Sequence, residues 1–142
     1  MRIALDEAAA AARDGEVPVG AVVTRGGEML GVGRNRMRDR NDPTAHAEMV
    51  ALREAAAALG ASRLDGCDLW VTLEPCAMCA GAMALARIRR LYFGAADPKG
   101  GAVLNGPRLF GQPTCHHAPE VYPGIGEEEA GELLRGFFRE RR

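Results

Sequence analysis

No stretch of the chain approaches the roughly 18–20 consecutive apolar residues that a bilayer span needs. Nor does the start read as a signal peptide, because Asp6 and Glu7 sit inside the apolar stretch Met1–Arg13 where such a segment is uncharged. A cytoplasmic location with no membrane association is therefore expected. An excess of one charge is missing too: the formal net charge is −1, which offers no global reason to bind nucleic acid. Internal repeats and linker-like tracts are absent. The length of 142 residues suits one domain, expected to span 1–142. With 47% hydrophobic and 26% charged residues, the composition is that of a chain that folds, unlike the apolar-poor makeup of disorder. Without a secretory signal, the four cysteines read as thiols or metal ligands before disulfides.

What is present is unevenly distributed. Arg34, Arg36, Arg38 and Arg40 form one basic cluster, Arg87, Arg89 and Arg90 a second, and Arg135, Arg139, Arg141 and Arg142 a third. Solvated surface is the ordinary explanation of each. The Ala-rich segment 2–14 ahead of Gly15 predicts a helix with a left-handed cap. Val17 to Thr24, the Gly26-Gly27 turn and Glu28 to Gly33 predict a hairpin. A polar, Arg-rich loop follows from Asn35 to Pro43. Thr44 precedes an Ala, Met and Leu run that reaches Leu59 before Gly60, which predicts a capped helix. Asp68 to Leu73 reads as a strand feeding a helix over Cys76 to Ala86, and Arg89 to Gly94 as another strand. Ala95 to His117 is rich in Gly and Pro and takes no assignment, whereas Glu127 to Arg139 reads as a final helix. This alternation implies an α/β sandwich.

Two short segments carry chemistry: Thr44-Ala45-His46-Ala47-Glu48 and Glu74-Pro75-Cys76-Ala77-Met78-Cys79. Each falls at a predicted helix start. Cys76 and Cys79 are three apart, so on a helix both sulfurs project from one face toward one ion. Helix N-termini favour the thiolates that a metal requires. His46 supplies a third, neutral ligand, and three protein ligands leave one tetrahedral position open, as in a catalytic zinc site. Glu48, two residues from His46, is placed to carry protons without being a ligand. A closed zinc knuckle would need a second ligand pair, which Cys67, Cys115, His116 and His117 do not form at knuckle spacing. A redox pair would leave His46 and Glu48 unexplained. Cys67 reads as a buried thiol, and Cys115-His116-His117 as surface or packing residues, since neighbours rarely converge on one ion.

His-x-Glu followed by Pro-Cys-x-x-Cys is the signature of zinc-dependent base deaminases. Through most of its length the chain resembles one family of them, the bacterial tRNA-specific adenosine deaminases of the cytidine deaminase-like fold. Glu16-Val17-Pro18-Val19-Gly20-Ala21-Val22, Asn41 to Glu48, Val71 to Cys76 and Cys79-Ala80-Gly81-Ala82-Met83 carry the resemblance, with Arg87-Ile88 and Phe93-Gly94-Ala95 after them. Asn35-Arg36, Asp97 with Lys99, and Phe137-Phe138-Arg139 ahead of Arg141-Arg142 point to the tRNA branch. The resemblance implies hydrolysis of the wobble adenosine of a tRNA anticodon loop to inosine, with one zinc ion per subunit and Glu48 as proton shuttle. It further implies that Asn35 contacts the inserted nucleoside, that Asp97 lies near its ribose, and that Arg36 and the loop around it meet phosphates. Phe138 and Arg139 would meet the RNA from the last helix, and the protein would be a homodimer. Leu104 to His117 departs from the family's pattern.

A deaminase of the same fold acting on free guanine or cytosine would use identical zinc chemistry, but such enzymes close the pocket with a C-terminal segment. Here the chain ends in Arg-Glu-Arg-Arg without an extended lid. A zinc-stabilised RNA-binding module would not need a carboxylate at position 48. The expected fold is a three-layer α/β/α sandwich, cytidine deaminase-like, with a mixed sheet of about five strands and both zinc helices on one face.

Overall fold

The computed structural model describes residues 1–141, so Arg142 of the third basic cluster lies outside the described residues. Four helices and five strands follow in the order α1 (Arg2–Arg13), β1 (Gly20–Arg25), β2 (Glu28–Arg34), α2 (Ala47–Leu59), β3 (Asp68–Leu73), α3 (Ala77–Ala86), β4 (Arg90–Ala95), β5 (Glu120–Tyr122) and α4 (Glu127–Glu140). The sheet order is β2-β1-β3-β4-β5. β1 runs antiparallel to β2 and β3, whereas β3, β4 and β5 are parallel, so the sheet is mixed as expected.

Helices cover both faces. α2 packs on β1, β2 and β3 and meets α3, while α1 and α4 meet each other over β1 and β4. The larger core lies beneath α2 and α3, where Ala47, Ala51, Ala55, Cys79 and Met83 close over Val23, Val71, Leu91 and Phe93. On the opposite face Leu5, Ala95 and Ala130 form a smaller cluster. The alanines of α2 matter because they let the helix backbone approach the sheet. At Gly33 the approach is so close that a Cβ would lie 2.8 Å from Ala51 N and 2.9 Å from Val50 Cβ. The start of α2, and with it the site, is thereby set by backbone-to-backbone contact.

Most element boundaries agree with the sequence pattern, and the exceptions have physical causes. Gly15 takes φ +79 just beyond α1, as its position predicts. β1 begins at Gly20, later than Val17, because Pro18 has no N–H and the chain turns there through a bond from Val19 N to Val17 O. Thr44 does not cap α2: its hydroxyl donates to Asp42 Oδ1 at 2.7 Å, and the free N–H of Ala47 is taken by Asn35 Oδ1 at 2.9 Å. That cap comes from another element, so local sequence could not reveal it. The fifth strand, β5, lies between the unassigned stretch that ends at His117 and the last helix, where no strand was expected. It is three residues long and held at the sheet edge by Glu120 N to Arg89 O and by His117 Nε2 paired with Ile88 O. Across it runs a row of stacked rings, Trp70 on Tyr92 at 3.9 Å and Tyr92 on Tyr122 at 5.0 Å.

Candidate active site

His46 is the N-cap of α2 and Cys76 the N-cap of α3, both with extended backbone. Capping residues point their side chains past the helix end, so each of these two side chains stands at the positive end of its own helix. Cys79, one turn into α3, is fully buried and faces the same way. Both sulfurs lie 3.6 Å from His46 Nδ1. A tetrahedral ion with bonds of about 2.3 Å to sulfur and about 2.0 Å to nitrogen separates those ligand atoms by roughly 3.6 Å. The donor set therefore fits a metal. No other group of three or more His, Cys, Asp or Glu side chains converges this way among the described residues.

Electrostatics at the donors reflect their crowding. Cys76 is pulled down to about 4, first by the hydrogen bond from Cys79 and then, against the opposing cost of burial, by that from His46. Cys79 is pushed up, first as the donor in that bond and then by burial. The two thiols thus oppose each other's titration, as ligands crowded around one cation site do. His46 is raised, chiefly by its hydrogen bond to Cys76. Glu48 is 4% exposed, and burial pushes its carboxyl up to about 7, the nearby Cys76 charge adding to the effect.

The remaining sequence-predicted residues fall in two places. Asn35 is buried beside the start of α2, where its carbonyl oxygen caps the helix. Arg36 is in the neighbouring loop, its guanidinium closed on Asp39 at 2.6 Å. Arg34 pairs with Glu7 and Asp14, and Arg38 donates to Gly15 O, so much of the first basic cluster is already partnered. The second cluster is likewise engaged, Arg89 with Asp68 and Arg90 with Glu120. On the other side, Asp97, Lys99, Arg135, Phe138, Arg139 and Arg141 line one open cleft floored by Leu73, three residues before Cys76. Asp97 Oδ1 accepts from Lys99 N and Gly100 N, tying that turn. Phe137 is 8% exposed and Phe138 51%, their rings edge to face at 5.3 Å. Arg141 stacks on Phe137, 3.6 Å from the ring centroid.

Two residues given no role from the sequence prove to shape the rims. Glu16, buried, accepts from Arg38 N at 3.1 Å and Asp39 N at 2.8 Å and so holds the Arg-rich loop. Glu74 accepts five hydrogen bonds from the segment that begins at Asp97. Burial pushes its carboxyl up, yet those bonds outweigh it and hold the group below the ordinary carboxylate range. A glutamate standing directly before Pro75-Cys76 was the visible signal. Its partners lie more than 20 residues away in sequence, and nothing local names them.

A mixed five-stranded sheet that brings His46, Cys76 and Cys79 together at two helix ends, with Glu48 beside them, defines the deaminase class. The model of the family of MafB19-like deaminases matches residues 1–142. A tRNA-specific adenosine deaminase from Agrobacterium fabrum is 58% identical over 142 residues, covering 100% of this chain and 93% of that protein. A solved structure from work on A-to-I editing by tRNA:A34 deaminases at the wobble position superposes with a TM-score of 0.93 at 57% identity, over 94% of this chain and 97% of that one. A guanine deaminase from Nitrosomonas europaea superposes at 0.76 with 26% identity, over 94% of this chain and 80% of that one. The chain belongs to the deaminase family and, within it, to the tRNA-specific adenosine deaminases.

Proposed function

We propose that the chain converts the wobble adenosine of a tRNA anticodon loop to inosine, releasing ammonia, with one zinc ion per subunit. The observation that carries the chemistry is the donor triangle of His46, Cys76 and Cys79 beside Glu48, a buried carboxylate outside the triangle. One imidazole with two thiolates suits zinc better than harder cations. When bound, zinc supplies the Lewis acidity that makes water a nucleophile near neutral pH. Glu48 would hold the proton that the attacking water loses, pass it to the purine ring nitrogen, and then carry the proton of the newly added hydroxyl to the ammonia that departs as the C–N bond breaks.

Substrate contacts follow from the two rims. Asn35 spends its carbonyl oxygen on Ala47 N, which leaves its NH2 to donate to the inserted nucleoside. Asp97, anchored in its own turn, borders the ribose. A loop base can leave its stack at small cost, so the anticodon loop delivers the adenine while neighbouring nucleotides stay outside. Lys99, Arg135 and Arg139 attract the flanking phosphates in the open cleft, and exposed Phe138 offers a ring on which a base stacks. Arg36 joins them by exchanging Asp39 for a phosphate.

The same reading includes a homodimer and a cytoplasmic location, where the RNA is. Support for the dimer comes from the outer side of α3, where Leu85 is 81% exposed at the edge of a groove lined also by Gly81, Ala84 and Leu109. No helix among the described residues is long and apolar enough to cross a membrane.

The deciding experiment incubates zinc-loaded protein with an anticodon stem-loop bearing a wobble adenosine, and separately with guanine, cytosine and cytidine. Inosine and ammonia are measured. Inosine at the wobble position is expected; ammonia from a free base with the RNA untouched would move the same chemistry to a free-base deaminase.

A further inference from the structure

The structure assigns Glu74 a role beyond these: it is a positioning residue, whose buried carboxylate fixes the loop from Asp97 to Asn105 as the substrate-facing wall beside the metal helix. Its Oε2 accepts from three successive backbone groups, Val103 N at 3.1 Å, Leu104 N at 2.9 Å and Asn105 N at 3.1 Å. Its Oε1 accepts from Asp97 N at 3.0 Å and from Asn105 Nδ2 at 2.7 Å. Both ends of the loop are therefore gathered on one side chain. Three consecutive N–H groups converging on one oxygen make the same kind of concavity that binds free anions, here filled from within.

Glu74 is 2% exposed and has no cationic partner among the described residues. Its charge is balanced by N–H dipoles alone, so loop and carboxylate depend on one another. The join is tightened by Ala102 N to Pro75 O at 2.9 Å and by Gly101, where a Cβ would stand 2.5 Å from Glu74 Cδ. Geometry then ties rim to metal site. Glu74 is separated from Cys76 only by Pro75, while the loop it grips carries Asp97 and Lys99 into the basic cleft. The distance the substrate must span between cleft and donor triangle is set at this joint, with Glu74 as its main anchor. For its bearing on RNA the inference rests on the function proposed above; the anchoring itself does not.

Glu74→Gln tests it. Whichever way the amide is turned, its NH2 faces N–H donors, so part of the grip is lost without loss of volume. In zinc-loaded protein, amide hydrogen exchange at Asp97, Val103, Leu104 and Asn105 should quicken about tenfold or more, with α3 amides and one zinc per chain retained. KM for the wobble-adenosine stem-loop should rise about tenfold while kcat changes less than about threefold, the split expected of misplaced binding groups. Gly101→Ala attacks the same joint from the loop side with the carboxylate intact, and should give the same pattern if Glu74→Gln fails to fold. Loop amides as protected as in wild type, or an opened loop with unchanged KM, would overturn the proposal. If wild-type protein leaves the stem-loop unedited, the function proposed above falls, and the exchange experiment still decides whether Glu74 anchors the loop.

Discussion

His46 and Glu48 sit on opposite sides of the boundary of α2, and that boundary explains why a spacing of two serves both. His46, as N-cap, has extended backbone and aims out of the helix, whereas Glu48 is inside the first turn and buried. One residue thus joins the donor triangle while the other stays beside it without joining. Replacing Glu48 by Gln keeps shape and removes the proton carrier. Turnover should fall by about 10²–10⁴-fold with the metal content unchanged by elemental analysis, the range expected for loss of a general acid–base group. Retained turnover would mean that another group moves the protons. Asn35 shows the same economy at the residue scale: its amide oxygen caps α2 from another element, and the proposed function gives its NH2 to the nucleoside.

At the scale of elements, the decisive contacts are between backbones. Gly33 of β2 lies directly under the start of α2, where an added methyl would press on Ala47 O, Ala51 N and Val50 Cβ. Gly33→Ala should therefore destabilise the fold by about 1–3 kcal/mol, as overpacking does. Because the displaced element carries His46, zinc affinity should fall in parallel, measured by competition with a chelator; a lowered Tm with unchanged affinity would separate fold from site. α4 makes the complementary case. Its adjacent phenylalanines divide between core and solvent, Phe137 inward under Arg141 and Phe138 outward into the cleft. Phe138→Ala with Arg139→Ala should weaken stem-loop binding by about 1–3 kcal/mol for the lost stack, with a shallower salt dependence from the lost cation and unchanged zinc content. Equal affinity for variant and wild type would remove this helix from the RNA surface.

For the molecule as a whole, charge and apolar surface are partitioned by face. Arginines near β3 and β4 are neutralised in pairs with Asp68 and Glu120, whereas those of α4 line the cleft beside Lys99. A net charge of −1 thus conceals a local basic surface. The exposed side of α3 belongs to this scale as well. Leu85→Glu should shift the protein to a monomer at micromolar concentration by analytical ultracentrifugation while leaving it folded; a wild-type monomer would end the dimer reading.

Much of this architecture was legible in the sequence because it is local. A short apolar run located β3 to the residue, alanine-rich runs located α1 and α2, and the spacing of Cys76 and Cys79 singled out two donors that helix geometry alone brings side by side. The choice of a mixed five-stranded sheet came from the resemblance, since four strands at most were readable and β5 is too short to show a period. Tertiary structure decided what depends on distant partners. It brought His46 within 3.6 Å of both sulfurs, across 30 and 33 residues of chain. It moved the cap of α2 from Thr44 to Asn35, paired Arg36 with Asp39, and gave Glu74 a loop to hold. Periodicity and spacing record what a residue does to its own helix or strand; which buried carboxylate meets which N–H is settled only when the layers close and every polar group inside must find a partner.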